Sequence, residues 1–165
     1  MAMEAGVTAQ QERNQGDARV PRVPSAGAGR RLRSLTRAFT VGPVTGHLIV
    51  SHTAGGEPVR VEIRMAKQGS TLRGMLDVLS TTLTRALRLG IPLSGLLPDC
   101  LSTRFEPAGM TDDPQIRQAT SVPDYVARRL AFDFLPYEQR QELGVLTREE
   151  RLSGEQAVWP VGRQH

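Results

Sequence analysis

An arginine and a glutamate stand on either side of a phenylalanine in the middle of the chain, at Arg104, Phe105 and Glu106. In an extended segment alternate side chains point the same way, so both charged groups would project from the face opposite Phe105. An arginine in that position can hold a phosphate or a carboxylate with two hydrogen bonds. The alternative is structural: Arg104 pairs with a carboxylate, Phe105 fills the core, and Pro107 to Gly109 form a turn.

The other chemically reactive residues do not assemble into a catalytic or metal site on spacing alone. Cys100 is the only cysteine of the chain and has leucines as neighbours, which favours a buried thiol. His47 and His52 are an odd number of positions apart in a predicted strand, so they face opposite sides of it. Asp112 and Asp113 precede a proline and predict a turn. We therefore predict no catalytic residue and no metal ligand.

The positive charge of the chain is concentrated at its N-terminal end. Residues 1–40 carry seven arginines and three acidic residues, which accounts for the net charge of +4, because the remaining residues carry 14 basic and 14 acidic side chains. This segment shows no apolar periodicity, which predicts a disordered basic arm. The arm is either a solubilising tail or a nucleic-acid-binding element. In the second case the binding residues are Arg30, Arg31, Arg33 and Arg37.

Composition limits the class of protein. A chain of 165 residues, 39% of them hydrophobic, has room for one ordinary domain. It contains no run of about 18 apolar residues, as a membrane span requires. The first thirty residues also lack the apolar run of a signal peptide. One cysteine cannot form a disulfide within the chain, so we expect a cytoplasmic protein that does not contact a membrane.

Two strands and two helices should position these residues. Alternating apolar residues in Val44–His52 and Val59–Met65 predict an antiparallel hairpin with one buried face. Order is expected to begin near Val41. Helical spacing of leucines, together with Met75, predicts a helix over Ser70–Leu89 that packs its apolar stripe on the hairpin.

The ends of both helices are marked by capping signals. Ser70 or Thr71 can cap the first helix, and Gly90 can end it. Ser121 can cap a second helix from Val122 to Leu135, which Pro136 ends. We therefore predict an α+β fold, in which an antiparallel β-hairpin or small sheet packs against two main α-helices.

Two segments in the second half of the chain resemble the motifs of a known domain. Ser102–Met110 contains the sequence T-R-F-E-P-A-G, and Ala119–Tyr125 contains A-T-S-x-x-D-Y. Both are similar to motifs of the TSCPD domain, and Gly46-His47, Gly69 and Leu89–Leu93 match its upstream positions. The resemblance covers about Val41 to Pro136. This domain ends many adenosylcobalamin-dependent ribonucleotide reductases and also occurs in small stand-alone proteins.

The resemblance implies membership of the family and not the reductase activity. In the reductases the radical-generating barrel, the adenosylcobalamin site and the catalytic cysteines lie outside this domain. Ribonucleotide reduction needs a thiyl-forming cysteine and a redox-active pair, which Cys100 alone cannot supply. Naming this chain a ribonucleoside-diphosphate reductase would therefore describe its similarity to the family and not an activity of its own. The cysteine-bearing members have the motif Thr-Ser-Cys-Pro-Asp, and Val122 occupies the position of its cysteine. A thiol or metal function is therefore not expected at this position.

Three regions and a function follow from these observations. Residues 1–40 are the basic arm, residues 41–140 the TSCPD-like domain, and residues 141–165 a polar tail. The expected function is a non-catalytic accessory or regulatory module of deoxyribonucleotide synthesis, without a cofactor, which contacts a ribonucleotide reductase subunit or a nucleotide. Its contact surface would consist of Arg104, Glu106 and the hairpin face that carries Arg64. The alternative is nucleic-acid binding through the arm. A thin core also suggests a homodimer.

Overall fold

The computed structural model describes residues 31–65 and 70–158 of the chain. An antiparallel sheet in the order β1-β2-β3 is followed by helices and one short two-stranded ladder. In chain order the elements are β1 (Arg33–Val41), β2 (Val44–His52), β3 (Pro58–Met65), α1 (Thr71–Arg88), α2 (Leu93–Leu96), β4 (Gly109–Met110), β5 (Gln118–Ala119), α3 (Val122–Phe134), α4 (Tyr137–Glu142) and α5 (Arg148–Val158). The predicted α+β fold is confirmed.

The predicted hairpin is the β2–β3 pair of the sheet. Leu48 lies opposite Ile63 and Val50 opposite Val61, and all four side chains are buried. Their period of two places one face of each strand against the helices.

No helix within residues 31–65 and 70–158 has both the length and the apolar character needed to cross a membrane.

Strand β1 corrects the expected start of the ordered domain. Residues 33–40, predicted to belong to a disordered arm, pair with β2 in a continuous register that ends at Val41 and Val44. The signal that the prediction missed is the two-residue connection Gly42-Pro43. Gly42 has a φ of +52°, which suits the first position of a tight hairpin turn. The N-terminal residues 1–30 lie outside the described residues.

Helix α1 covers the outer edge of β3. The hydroxyl of Ser80 accepts a hydrogen bond from the Ile63 N–H at 3.0 Å, and the hydroxyl of Thr84 bonds to both backbone groups of Val61 at 3.1 Å. The expected apolar stripe faces the core through Leu76, Leu83 and Leu87, which are buried. The expectation that Met75 belongs to the buried stripe is wrong, since Met75 is 59% exposed.

Helix α3 fills the core below the sheet. The ring of Tyr125 packs on that of Phe39 from β1, with 5.0 Å between the centroids. Val122, Val126 and Leu130 are also buried. The C-terminal segment contributes as well, which corrects its description as a polar tail from residue 141: Val145 is 1% exposed and belongs to the core.

Two glycines should respond to alanine in opposite directions. A Cβ at Gly46 in β2 would lie 2.7 Å from the Arg64 carbonyl oxygen and 2.7 Å from the Phe39 ring. Gly46→Ala is therefore expected to lower the free energy of unfolding by about 1–3 kcal/mol through overpacking. A Cβ at Gly74 in α1 would meet no atom within 4 Å, so Gly74→Ala should raise it by about 0.5–1 kcal/mol. Urea denaturation of both variants measures the difference, and a stable Gly46→Ala variant would contradict this packing.

Candidate functional site

The segment from Ser102 to Gly109, here called the RFE loop, carries three exposed side chains in a row. Arg104, Phe105 and Glu106 are all exposed, and 40% of Phe105 is accessible to solvent. The structural alternative, in which Phe105 fills the core, is therefore wrong. Within the described parts of the chain, the Arg104 side chain has no hydrogen-bond or ion-pair partner, so its guanidinium faces solvent.

The RFE loop is fixed to the beginning of helix α3 by a buried carboxylate. Asp124 is 1% exposed, and it accepts hydrogen bonds from the Ser102 N–H at 2.8 Å and the Thr120 N–H at 3.1 Å. Arg128, one turn further along α3, donates to both carboxylate oxygens at 3.0 and 3.1 Å. One side chain thus joins the two motifs, which residues 111–118 separate in the chain.

Hydroxyl groups extend this connection along the loop. Ser121 caps α3 by accepting from the Asp124 N–H at 3.0 Å, and its hydroxyl lies 2.7 Å from that of Thr103. Thr103 donates to the Cys100 carbonyl at 2.8 Å. The Thr120 hydroxyl donates to the Thr103 carbonyl, and the Thr120 carbonyl accepts from the Phe105 N–H. These bonds hold the backbone immediately before and at Phe105.

The charge state of Asp124 follows from its surroundings. Burial by itself would raise the pKa of Asp124, but hydrogen bonds from Arg128, Ser102 and Thr120, with the positive charge of Arg128, outweigh burial. The pKa of Asp124 therefore lies below its ordinary value, and the carboxylate is ionised at neutral pH. Ser102, which donates to it, has a φ of +61°, a backbone conformation that is uncommon for a residue other than glycine.

The other end of the RFE loop rests on the turn between β1 and β2. A Cβ at Gly42 would lie 2.3 Å from the Ala108 carbonyl oxygen, so only glycine permits this close approach. The Gly42 N–H donates to the Met110 carbonyl at 2.9 Å. Within the loop, the Glu106 carboxylate accepts from the Ala108 N–H at 3.0 Å, and the Glu106–Pro107 peptide bond is cis. The loop is therefore held at both ends.

Arg64, the third predicted contact residue, lies on a different surface. It faces away from the helices on β3, opposite His47 of β2. Its Nε donates to Glu62 at 2.7 Å, and Arg60 reaches the same carboxylate at 3.3 Å. Among the contacts of the described residues, none joins Arg64 to Arg104 or Glu106. The structure therefore separates the predicted contact surface into the RFE loop and the outer face of the sheet.

The predicted nucleic-acid-binding arginines are also separated. Arg30 lies outside the described residues, whereas Arg31 and Arg33 are exposed at the start of β1. Arg37 points to the helix side of the sheet and pairs with Asp133 of α3 at 3.3 Å. The expectation that Arg37 belongs to a free basic arm is corrected, because its strand position directs it towards a carboxylate below the sheet.

A buried ion network that sequence reasoning missed lies between α3 and the segment before β5. Arg129, whose side chain is 5% exposed, bonds to Asp113 at 3.0 Å and Asp133 at 2.8 Å. The Tyr125 hydroxyl donates to Asp113 at 3.2 Å. Burial and the neighbouring Asp113 raise the pKa of Tyr125, which therefore stays protonated. The spacing of Arg129 and Asp133 by four residues was the available signal.

Asp112 and Asp113 both accept hydrogen bonds from other parts of the described chain. Burial alone would raise the pKa of Asp113, but hydrogen bonds from Arg129, Gln115 and Tyr125 lower it overall. Asp112 accepts from the backbone N–H of Thr40 at 2.8 Å and so covers the edge of β1. Within the described parts of the chain, no group of three or more potential ligands could hold a metal ion.

The cysteine is buried, as predicted. Cys100 is 8% exposed and belongs to the core. Burial, with a smaller contribution from Asp99, raises the pKa of its thiol. A thiol with a raised pKa is a poor nucleophile at neutral pH. The RFE loop, by contrast, presents exposed side chains on a backbone that is hydrogen-bonded at both ends.

Comparison with known proteins places these motifs in a family context. The model of the TSCPD domain matches residues 20–134. The vitamin B12-dependent ribonucleotide reductase of Streptomyces avermitilis is 45% identical over 117 residues, which are 71% of this chain and 12% of that protein. The protein of the same name from Rhodopirellula baltica is 41% identical over 103 residues, 62% of this chain and 10% of the relative.

A third relative has a lower sequence identity. The vitamin B12-dependent ribonucleotide reductase of Agrobacterium fabrum is 33% identical over 106 residues, 64% of this chain and 8% of that protein. No solved structure gives a significant match. The chain thus spans about an eighth or less of the length of these three relatives.

Proposed function

This chain belongs to the TSCPD domain family, and on that premise we propose that it is a non-catalytic accessory module of ribonucleotide reduction. It acts by docking on a ribonucleotide reductase subunit through the RFE loop. The observation that carries the proposal is the exposure of Arg104, Phe105 and Glu106 on a backbone fixed at both ends. Arginine and aromatic residues are enriched among the residues that dominate protein–protein binding.

The rigidity of the RFE loop supports binding over a purely structural role. A loop that is ordered before binding loses little conformational freedom when a partner arrives, so more of the contact energy is available for affinity. Arg104 has no partner within residues 31–65 and 70–158, so its five N–H donors can be offered to a carboxylate of the partner. Glu106 adds the opposite charge two residues away, which would fix the orientation of the partner.

The absence of independent catalysis is part of the proposal. The single cysteine of the chain is buried and has a raised pKa, whereas the reaction requires several reactive thiols. A lone buried thiol also suits a reducing compartment, so we place the chain in the cytoplasm.

The names of the relatives imply adenosylcobalamin, and the described residues do not fit it. His47 is exposed on an open sheet face. His52 packs against Phe134, and its Nδ1 lies 3.0 Å from the Thr53 carbonyl oxygen. Neither histidine therefore lies in an enclosed site that could hold a corrinoid. We therefore assign the cofactor to the reductase.

The test measures binding of the full chain to the ribonucleotide reductase of its own cell by biolayer interferometry. Arg104→Ala is expected to weaken binding tenfold or more, because truncation of a dominant interface residue costs about 2 kcal/mol or more. Arg88→Ala on α1, an exposed arginine outside the RFE loop, should leave the affinity unchanged and serves as the control.

Titration with nucleoside diphosphates and triphosphates by calorimetry distinguishes the second possible ligand. If the chain binds a nucleotide but not the reductase, and Arg104→Ala abolishes the heat of nucleotide binding, the ligand of the RFE loop is a nucleotide and not a protein. The absence of both binding signals, or equal losses in the Arg104 and Arg88 variants, would overturn the proposal.

The described residues favour the RFE loop over the arginine arm as the binding element, because Arg37 is engaged with Asp133.

A further inference from the structure

Within the described residues, side chains of other elements bond to part of each outer strand edge of the sheet, and β1 has a long stretch without such bonds. On β3, the Ile63 N–H donates to Ser80 of α1, and both backbone groups of Val61 bond to the Thr84 hydroxyl. On β1, the Asp112 carboxylate accepts from the Thr40 N–H. Between Arg33 and Phe39, no described residue bonds to the outer edge of β1. Open strand edges are templates for pairing with another chain, so native proteins commonly cover or interrupt them.

The bond from Thr40 to Asp112 shows which residues of β1 offer their backbone to the outside. Its N–H points away from β2, and in an antiparallel strand every second residue shares that direction. Ala38, Thr36 and Ser34 therefore present their N–H and carbonyl groups to the open edge, and all three are exposed. This stretch contains no proline, and no register shift interrupts its pairing with β2.

From this geometry we propose that β1 pairs with β1 of a second copy of the chain, antiparallel and around a two-fold axis at Thr36. The open stretch is bounded by the start of β1 at Arg33 and by the Asp112 cap at Thr40. Its centre is Thr36, so an antiparallel second copy can use the whole stretch without displacing the cap. Each facing pair, Thr36 with Thr36 and Ser34 with Ala38, exchanges two backbone hydrogen bonds.

The side chains are self-complementary in this register. On the outer face the facing residues are Ser, Thr and Ala, and a facing pair of threonines is favourable. On the inner face Arg37 lies opposite Leu35 of the partner, and Arg33 opposite Phe39. Like charges in facing positions would oppose pairing, and in this register no two arginines face each other. Leu35, which is 37% exposed, gains cover from the partner. The result is a continuous six-stranded sheet.

The interface is small, so the dimer is reversible and its fraction rises with concentration. Analytical ultracentrifugation of the full chain over a wide concentration range measures it. Thr36→Pro removes one outward N–H without breaking a bond to β2, and it should raise the dimer dissociation constant at least tenfold. Thr36→Val keeps the N–H and should retain the dimer. Circular dichroism shows whether both variants remain folded.

Oxidative cross-linking gives an independent readout. Facing residues in a hydrogen-bonded antiparallel pair have Cα atoms about 5.5 Å apart, within the range for a disulfide. Thr36→Cys should therefore form a covalent dimer under mild oxidation with copper phenanthroline. His47→Cys, exposed on β2 of the same face, should not, because β1 of both copies separates the two positions.

Three outcomes would overturn this inference. If the chain sediments as a monomer at every concentration, the β1 edge does not pair with a second copy and is either covered by another segment or left open. A dimer that Thr36→Pro does not weaken uses another surface, such as the exposed side of α1. Equal cross-linking of the two cysteine variants reflects collision in solution. The inference does not depend on the proposed reductase contact, since Arg104→Ala should leave the dimer intact.

Discussion

Asp124→Ala is expected to lower the free energy of unfolding by about 3–5 kcal/mol, because several hydrogen bonds to one buried, ionised carboxylate are lost together. The substitution removes the acceptor of the Ser102 and Thr120 N–H groups and the partner of Arg128. A hydrogen bond to a charged group contributes about 1.5–3 kcal/mol. Urea denaturation followed by circular dichroism measures the change.

Asp77→Ala provides the matched control for this prediction. Asp77 also pairs with an arginine four residues away, Arg73 at 3.1 Å, but 56% of its side chain is exposed. Such a surface pair contributes about 0–1 kcal/mol, so the control should lose little stability. Equal losses in the two variants would show that Asp124 does not join the motifs as described.

The same substitution should also affect the binding surface. Without Asp124 the RFE loop keeps Arg104 but loses its attachment to α3. Reductase binding should therefore weaken in the Asp124 variant at temperatures where the domain is still folded, because the loop must then be ordered on binding. Retained affinity in a folded Asp124→Ala variant would mean that the attachment does not preorganise the loop.

Arg129→Met is expected to destabilise the domain by a similar amount, about 3–5 kcal/mol at neutral pH. Methionine occupies much of the volume of the arginine but leaves the carboxylates of Asp113 and Asp133 without their main cation. Arg85→Met, at an exposed position of α1, should change the free energy of unfolding by less than about 0.5 kcal/mol and is the control.

The pH dependence of the Arg129 variant gives a second readout. In the native protein the pKa of Asp113 is lowered from 3.8. Its ionisation therefore stabilises the fold fully above the unfolded-state pKa, and this contribution is lost as the pH falls through the folded-state pKa. Without Arg129, burial should instead raise the pKa of Asp113. The variant then regains stability as Asp113 is protonated, so its deficit should shrink from pH 7 towards pH 4. A deficit that does not change with pH would contradict this.

Local sequence patterns were sufficient for several elements of the fold. The period-two alternation located β2 and β3, and the helical spacing located α1 and α3. The caps also agree: Ser70 accepts from the Arg73 N–H, Ser121 accepts from the Asp124 N–H, and Gly90 follows α1 with a φ of +82°. These features depend on residues a few positions apart, where propensity and capping chemistry act directly.

Strand β1 shows why other elements required the tertiary structure. Arg37 interrupts the apolar alternation of Leu35, Phe39 and Val41, so no local pattern identified a strand. Its compensating partner, Asp133, is 96 residues away in sequence. A charged residue on the inner face of a sheet becomes acceptable only when the fold supplies its counter-charge, and that pairing cannot be read from neighbouring positions.

The motif residues that carry the resemblance show the same division. The sequence by itself determined the family, the presence of a single cysteine and the position of the Arg104–Glu106 motif. Only the tertiary structure decided that Phe105 faces solvent and that Asp124 attaches the motif to α3. It also decided that Arg64 belongs to another surface. The physical reason is that burial and hydrogen bonding are properties of the assembled chain, because the groups that satisfy a buried carboxylate come from segments that meet only after folding.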